Sequence, residues 1–330
     1  MIDDKSRYPQ LTSNKMLQTL FMQHFNAADD RFPWTDHLVF TEVIPVGEAS
    51  VDEDYPFSGE LSELSRTDDA QRRRISMANP EFNLNVTNVL YDDDLAIPVQ
   101  LFKKEKFGQI RRKITGWAAR QRRFFYKESM KALEGGSGST YGLCYDGNEF
   151  FDDSHADTGS RYTDAQDNKL ATAYSPAYFA AAELAMRLFK DGNGDSAGVF
   201  GDTVVCCPTL YNQINRDIGS DWYADQKYAT GGSSTGTEYV TRLQDNTYQG
   251  KFKVIEDKNT TSTTYWAILD THEVDKPINI QEATEGGVDF TANERDDSSW
   301  VMDNKSYRYQ IEWEGAWFYG DWRCAILGNA

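Results

Sequence analysis

The stretch CYDGNEFFDDSHADTG, residues 144–159, holds four aspartates, a glutamate, a histidine and a cysteine. Carboxylates and imidazoles are the side chains that hold divalent ions, and Asp152, Asp153, His155 and Asp157 could do so together. Their spacing matches no helical zinc motif such as HExxH, and the surrounding Gly and Ser read as loop. Three readings follow: a structural loop, a metal site, or the active site of a metal-dependent enzyme. A second stretch, DGNGDSAGVFGD at 191–202, places Asp191, Asn193 and Asp195 at the first, third and fifth positions of a calcium loop. Ser196 stands where the sharp turn needs Gly, Asp202 stands where a bidentate Glu belongs, and a strand follows in place of a helix. An ordinary turn and an adventitious ion site are the two readings.

Other chemistry has no support in the sequence. GxSxG, P-loop and GxGxxG motifs are absent. His24, His37, His155 and His272 are scattered. Cys206 and Cys207 sit together in the apolar run TVVCCP, Cys144 and Cys324 stand far apart, and no CxxC occurs. Reduced, buried thiols are expected. No catalytic, cofactor-binding or metal-ligating residue is therefore assigned, and no cofactor is expected.

The charge is more informative. The chain of 330 residues carries a net charge of -18, which argues against general nucleic-acid binding. Yet eleven of the 34 Lys and Arg, against two of the 52 Asp and Glu, fall between Lys103 and Lys131. Mean hydropathy is -0.65, no apolar run approaches the roughly 18–20 residues of a membrane span, and the N-terminus has no signal-peptide pattern. A product made in the cytoplasm, without membrane association, is expected.

The elements that position these residues follow from periodicity. Met16, Leu17, Leu20, Phe21 and Phe25 recur at helical spacing after a capping Ser13 or Asn14, within a first segment that reads as an arm. EFNLNVTN alternates as a strand, and SELSRTDDAQRRRISM before it has too few large apolar residues to form a core, so an extended hairpin fits. The longest helix signal runs from about Phe107 to Leu133. Phe107, Ile110, Ile114, Trp117 and Phe124 or Phe125 form its apolar face, and Lys113, Arg120, Arg123, Lys127 and Lys131 form a basic stripe beside it. EGGSGS ends this helix, and Ser175-Pro176 opens another over 176–190. DTVVCCP, KFKVIED and TTYWAILD read as strands, ATGGSSTGTE (229–238) as a flexible loop, and SYRYQIEWEG as the clearest alternating strand. The fold class is α+β. The basic stripe has three readings: a solvated face, a face for acidic surfaces on neighbouring copies of the chain, or a face for nucleic acid.

Five stretches in collinear order carry a resemblance: YPFSGELSEL, FNLNVTNVLYDDDLAIPVQLFKKEKFG, LCYDGNEFFDDSH, VVCCPTLYNQINRDI and WVMDNKSYRYQIEWEGAWFYGDWRCAIL. Together they resemble the major capsid proteins of tailed phages, with the Hong Kong phage-type (HK97-like) coat fold, and within these the Mu-like major head subunits. The resemblance implies an N-terminal arm at 1–50, an extended hairpin loop at 51–92, a peripheral domain with the spine helix at 93–190, an axial domain at 191–280, and returning peripheral strands at 281–330. It implies no enzyme. It implies a virion protein that assembles in the host cytoplasm as hexamers and pentamers, closing into an icosahedral shell around double-stranded DNA. Its partners would be other copies of itself, a separate scaffold protein (no coiled-coil preamble precedes the arm), a portal, and decoration proteins. Arg72, Arg73 and Arg74 in the hairpin, with Lys113, Arg120, Arg123, Lys127 and Lys131, are the candidate contacts between subunits. An encapsulin-like compartment shell of the same fold is the alternative, and a metal-dependent enzyme built on 144–159 the more distant one.

Overall fold

The computed structural model describes residues 14–26, 38–43, 52–58, 80–104, 106–156, 164–228, 239–272, 276–283 and 288–329. In chain order the elements are α1 (Asn14–Phe25), β1 (Val39–Val43), β2 (Asp52–Ser58), β3 (Pro80–Thr87), β4 (Val89–Pro98), α2 (Val99–Lys103) and α3 (Phe107–Glu134). There follow β5 (Lys169–Leu170), α4 (Pro176–Arg187), β6 (Thr203–Cys206), α5 (Pro208–Gly219), β7 (Trp222–Tyr228), β8 (Tyr239–Asp245), β9 (Lys253–Glu256) and β10 (Trp266–Leu269). The last are β11 (Ile278–Glu282), β12 (Asp289–Asn293), α6 (Ser299–Asn304), β13 (Ser306–Tyr319) and β14 (Ala325–Gly328). The chain divides into two compact units, one of Met1–Tyr55, Asn83–Ala132 and Ile278–Phe318, the other of Pro56–Phe82, Leu133–Pro277 and Tyr319–Ala330. Besides Pro56–Phe82, the second unit thus runs from the end of α3 and takes in the 144–156 loop and α4 as well as most of the segment expected to be axial.

The first unit is organised by β13. Tyr307, Tyr309, Ile311 and Trp313 are buried while Arg308, Gln310, Glu312 and Glu314 are more open, as the period-two pattern predicts. Its 14 residues serve several partners. β4 runs antiparallel along one edge, from Ser306↔Pro98 to Gly315↔Val89. β12 pairs antiparallel along the other, from Asn293↔Arg308 to Asp289↔Glu312. β11 also joins β13 and carries β1 in parallel beyond it. Gly315 allows this crowding, because a Cβ there would collide with the Gln281 carbonyl and the Trp313 ring.

The spine helix α3 has 28 residues, a rod of about 42 Å at 1.5 Å per residue. Ile110, Ile114, Trp117, Ala118, Tyr126 and Met130 are buried along it, close to the apolar face predicted. α1 packs against it: Phe21 lies 5.0 Å from Trp117 and 5.4 Å from Phe290 between ring centroids, and Arg122 donates to the Phe25 carbonyl at 3.4 Å. Tyr91, Phe124, Phe125, Trp313 and Trp317 form a second aromatic cluster with centroids 5.0–6.2 Å apart. Each such pair contributes about 0.5–1.5 kcal/mol beyond simple burial. Two of the indole N–H groups find acceptors here, Trp117 on Asp93 at 2.7 Å and Trp317 on the Ser129 hydroxyl at 3.1 Å, which offsets the cost of burying them.

The second unit centres on a five-stranded mixed sheet in the order β5-β14-β10-β6-β9. β10 is antiparallel to β14 and β6, and the two edge pairs are parallel. TVVC, WAIL and AILG are buried at every residue, which explains their continuous apolar runs. α4 begins as expected, with the Ser175 hydroxyl accepting from the Tyr178 N–H at 3.2 Å and Pro176 in the first turn. It ends at Arg187, short of the predicted 190. All four cysteines are buried thiols outside any disulfide; burial pushes Cys206 up to about 12, with Cys207, Glu256 and Asp257 adding to it. β7 and β8 form a separate antiparallel pair. The loop expected at 229–238 lies outside the described residues.

Candidate functional site

The spine helix presents its basic stripe outward. Lys113, Arg120, Arg123 and Lys127 are exposed, on the side away from the buried Ile110, Ile114 and Trp117. Among the described residues none of these four makes an ion pair. Lys131 differs, since it is paired one turn back with Glu128 at 2.7 Å. The other candidates, Arg72, Arg73 and Arg74, lie outside the described residues. The strands that bracket them, β2 and β3, pair as a two-stranded sheet.

Exposed apolar residues form a further set of contact candidates. Leu184 and Leu188 lie one turn apart at the end of α4, with Phe200 exposed in the same unit and Val89 and Leu90 exposed at the start of β4. Sequence reasoning missed them. An i,i+4 leucine pair has the same pattern whether it faces a core or a partner.

The acidic stretches turn inward. In the 144–156 loop, Asp146 Oδ1 accepts from the Asn148 N–H at 3.1 Å and Asp152 Oδ1 from the Ser154 N–H at 2.9 Å. Asp146 Oδ2 lies 2.6 Å from His155 Nδ1, close enough for the ring N–H to donate, and both side chains are fully buried. The His155 ring stacks on Trp322 at 4.2 Å and 4°. Asn168 fastens the loop from beneath, donating to the carbonyls of Phe150, Trp322 and Ala325 and accepting from the Asp152 N–H. Asp153 is exposed while His155 is buried, and among the described residues Asp152, Asp153 and His155 form no group placed to hold an ion; Asp157 lies outside the described residues. Gly136, just past the spine helix, lets Phe150 and Phe151 close in, because a Cβ there would sit 2.7 Å from the Phe151 ring.

The calcium-like loop is likewise a turn. Asp191 Oδ1 accepts from the Asn193 and Asp195 N–H groups at 2.9 and 2.8 Å, and the Asp191 N–H donates to the Asp195 carbonyl at 3.0 Å. Asp202 takes no part in it and bonds instead to Thr271. Among the described residues no helix is long and apolar enough to cross a membrane.

Residues 14–181 match the family model described as Mu-like prophage major head subunit gpT. None of the curated proteins matches the chain. Among solved structures, the chain is similar to a protein of Mycobacterium phage Patience (9% identity, 98% of this chain and 86% of that one, TM-score 0.50). It is also similar to one in the procapsid of bacteriophage JBD30 (15% identity, 96% and 74%, TM-score 0.48) and one in a virus-like particle from Pyrococcus furiosus (8% identity, 96% and 99%, TM-score 0.49).

Proposed function

The chain belongs to the Mu-like prophage major head subunit gpT family, and from that premise we propose how its surfaces build a shell. It is a structural capsid protein of the virion, with the Hong Kong phage-type fold, and not an enzyme. Its activity is self-association. The compartment-shell alternative is not favoured, since the matched family is a phage head subunit. The single observation that carries the reading is the family match over residues 14–181.

In our reading the copies form hexamers and pentamers that close into an icosahedral shell around double-stranded DNA, assembled in the host cytoplasm on a separate scaffold with a portal and decoration proteins. The stripe of Lys113, Arg120, Arg123 and Lys127 meets acidic surfaces of neighbouring copies. What supports this is charge complementarity within one sequence: four exposed cations on a helix that make no ion pair among the described residues, in a chain of net charge -18. Opposite charges on two regions of one chain set register and orientation between copies. The hairpin arginines Arg72, Arg73 and Arg74 serve a second contact of the same kind. Individually weak contacts suffice, because closure of a shell multiplies them. A chain of net charge -18 also has little overall attraction for packaged DNA.

Electron microscopy of the purified protein, alone and co-expressed with its genomic neighbours, tests this reading. Round shells or free hexamers and pentamers are expected. A persistent monomer or dimer in the presence of candidate scaffold would sink it.

A further inference from the structure

The described residues contain one group of three metal-ligating side chains close together, Asp202, Asp270 and His272. No local motif announces it, since Asp202 is far in sequence from the other two. Asp202 immediately precedes β6, and Asp270 and His272 follow β10. Antiparallel pairing sets Leu269 opposite Thr203, and the Asp202 N–H donates to the Leu269 carbonyl at 2.9 Å. The register therefore forces the two aspartates together at one end of the sheet. His272 Nδ1 lies 3.5 Å from Asp202 Oδ2 and 3.5 Å from Asp270 Oδ1, and the three ligand atoms all fall within 4.8 Å of one another.

We propose that Asp202, Asp270 and His272 form a binding site for a divalent first-row transition ion of the zinc class. Two independent observations carry this. The first is spacing. With metal–ligand bonds of about 2.1 Å in a tetrahedral arrangement, neighbouring ligand atoms stand about 3.4 Å apart, and both His272 spacings are 3.5 Å. The second is that the two carboxylates share a single imidazole, His272, as their ion-pair partner among the described residues. Asp270 is 1% exposed, Asp202 is half-buried beside it, and no lysine or arginine among the described residues forms an ion pair with either carboxylate. Lys253 is coupled to Asp202 only at longer range, and Lys276 donates to the Thr271 carbonyl. Two adjacent carboxylates, one of them buried, are costly with only one imidazole beside them, and a divalent ion held by all three side chains supplies the missing positive charge.

The donor set selects the ion. One imidazole and two carboxylates suit zinc and its neighbours, whereas calcium takes six to eight oxygens. Both carboxylates are held in place beforehand. Asp202 accepts from the Thr271 N–H at 2.9 Å and its hydroxyl at 2.5 Å, and Asp270 accepts from the Phe200 N–H at 2.8 Å and the His272 N–H at 3.0 Å. The His272 side chain is 75% exposed, so the fourth position opens to solvent and takes water. The ion would strap the turn after β10 to the start of β6. The site lies wholly within the second unit and is independent of the shell reading.

The test is zinc titration of the full chain after EDTA stripping and dialysis, read by calorimetry and by thermal melting. One equivalent bound with a rise in melting temperature is expected. His272→Ala should leave the stripped protein's melting temperature unchanged, because the side chain is exposed, and should weaken binding about a hundredfold or more, since even loss of a supporting group costs 10–100-fold. Cobalt gives a second readout: the intense visible absorption of four-coordinate Co²⁺ should appear in the wild type and vanish in His272→Ala. Absence of a stoichiometric site, zinc binding that survives His272→Ala, or a cobalt spectrum unchanged from the aqueous ion would each overturn the proposal.

Discussion

Two charged regions of this protein have opposite fates. The acidic loop at 144–156 and the basic stripe of the spine helix are the two charged regions whose residues point to chemistry or contact in the sequence. Two of the loop's acids are consumed within the chain: Asp146 is buried against His155, and Asp146 and Asp152 cap backbone N–H groups. The stripe's charges are left over, for Lys113, Arg120, Arg123 and Lys127 are exposed without intramolecular partners among the described residues. A group already satisfied inside the fold has little left to offer another molecule, whereas an unsatisfied row of cations is available to one. The comparison predicts that perturbing the stripe changes assembly and spares folding, and that perturbing the loop does the reverse.

The largest expected effect is on the stripe. Lys113→Glu, Arg120→Glu and Arg123→Glu combined should reduce shell yield more than about tenfold, since contacts repeated around a closed shell compound. The melting temperature of the unassembled chain should move by no more than exposed substitutions usually allow, about 0.5 kcal/mol each. Electron microscopy and sedimentation measure the first, thermal melting the second. Shells at wild-type yield would assign the stripe to solvent.

The converse perturbation is His155→Ala. It removes the partner of a fully buried Asp146 and the ring stacked on Trp322. Breaking a buried pair in this way costs about 3–5 kcal/mol, read as a shift in the urea midpoint. Asp153→Ala, close in sequence to the buried Phe150 but itself exposed, should stay within about 0.5 kcal/mol. Equal effects would mean that the loop is not organised around the Asp146–His155 pair.

The contrast also explains how much could be read from the sequence. Period-two alternation located Tyr307 to Trp313 in β13, and three- and four-residue steps located the buried face of α3, because one element's own geometry sets those patterns. The chemistry was harder. Asp152, Asp153 and His155 are neighbours in sequence and part company in space, whereas Asp202 and His272 are distant in sequence and meet through the register of β6 and β10. Pairing of non-adjacent strands leaves no local signature. The aromatic content likewise gave no indication that Phe21 would seat on Trp117 and Phe290, since three distant segments converge there.

A third charged position lies between the two extremes. Asp257 is 1% exposed, with one carboxylate oxygen bonded to the Asn259 N–H at 2.9 Å and the other without a partner. Burial pushes it up to about 6, the Asn259 N–H opposing and Glu134 adding to the shift. A carboxyl raised from an ordinary value near 3.8 is favoured in its protonated form by folding. Its contribution is therefore most favourable below about pH 4 and is lost as pH rises through 6. At about 1.4 kcal/mol per unit, Asp257→Asn should stabilise the protein by about 2–3 kcal/mol at pH 7.5 and by almost nothing at pH 4. A pH series of denaturation midpoints measures this. A gain independent of pH would show that the substituted amide improves packing and that charge burial is not the cause.

The smallest expected effect falls inside the stripe and tests the distinction most finely. Lys131 continues the row of Lys113, Arg120, Arg123 and Lys127, but it already has Glu128 at 2.7 Å. A half-exposed ion pair of this kind is worth about 0.3–0.5 kcal/mol, so Lys131→Ala should barely alter stability. Because its charge is already answered, the same substitution should also leave shell yield near wild type, while Arg120→Ala reduces it. Side-by-side assembly assays of the two single variants decide the matter. If Lys131→Ala blocks assembly as strongly as Arg120→Ala, position along the helix governs the contact and intramolecular pairing does not.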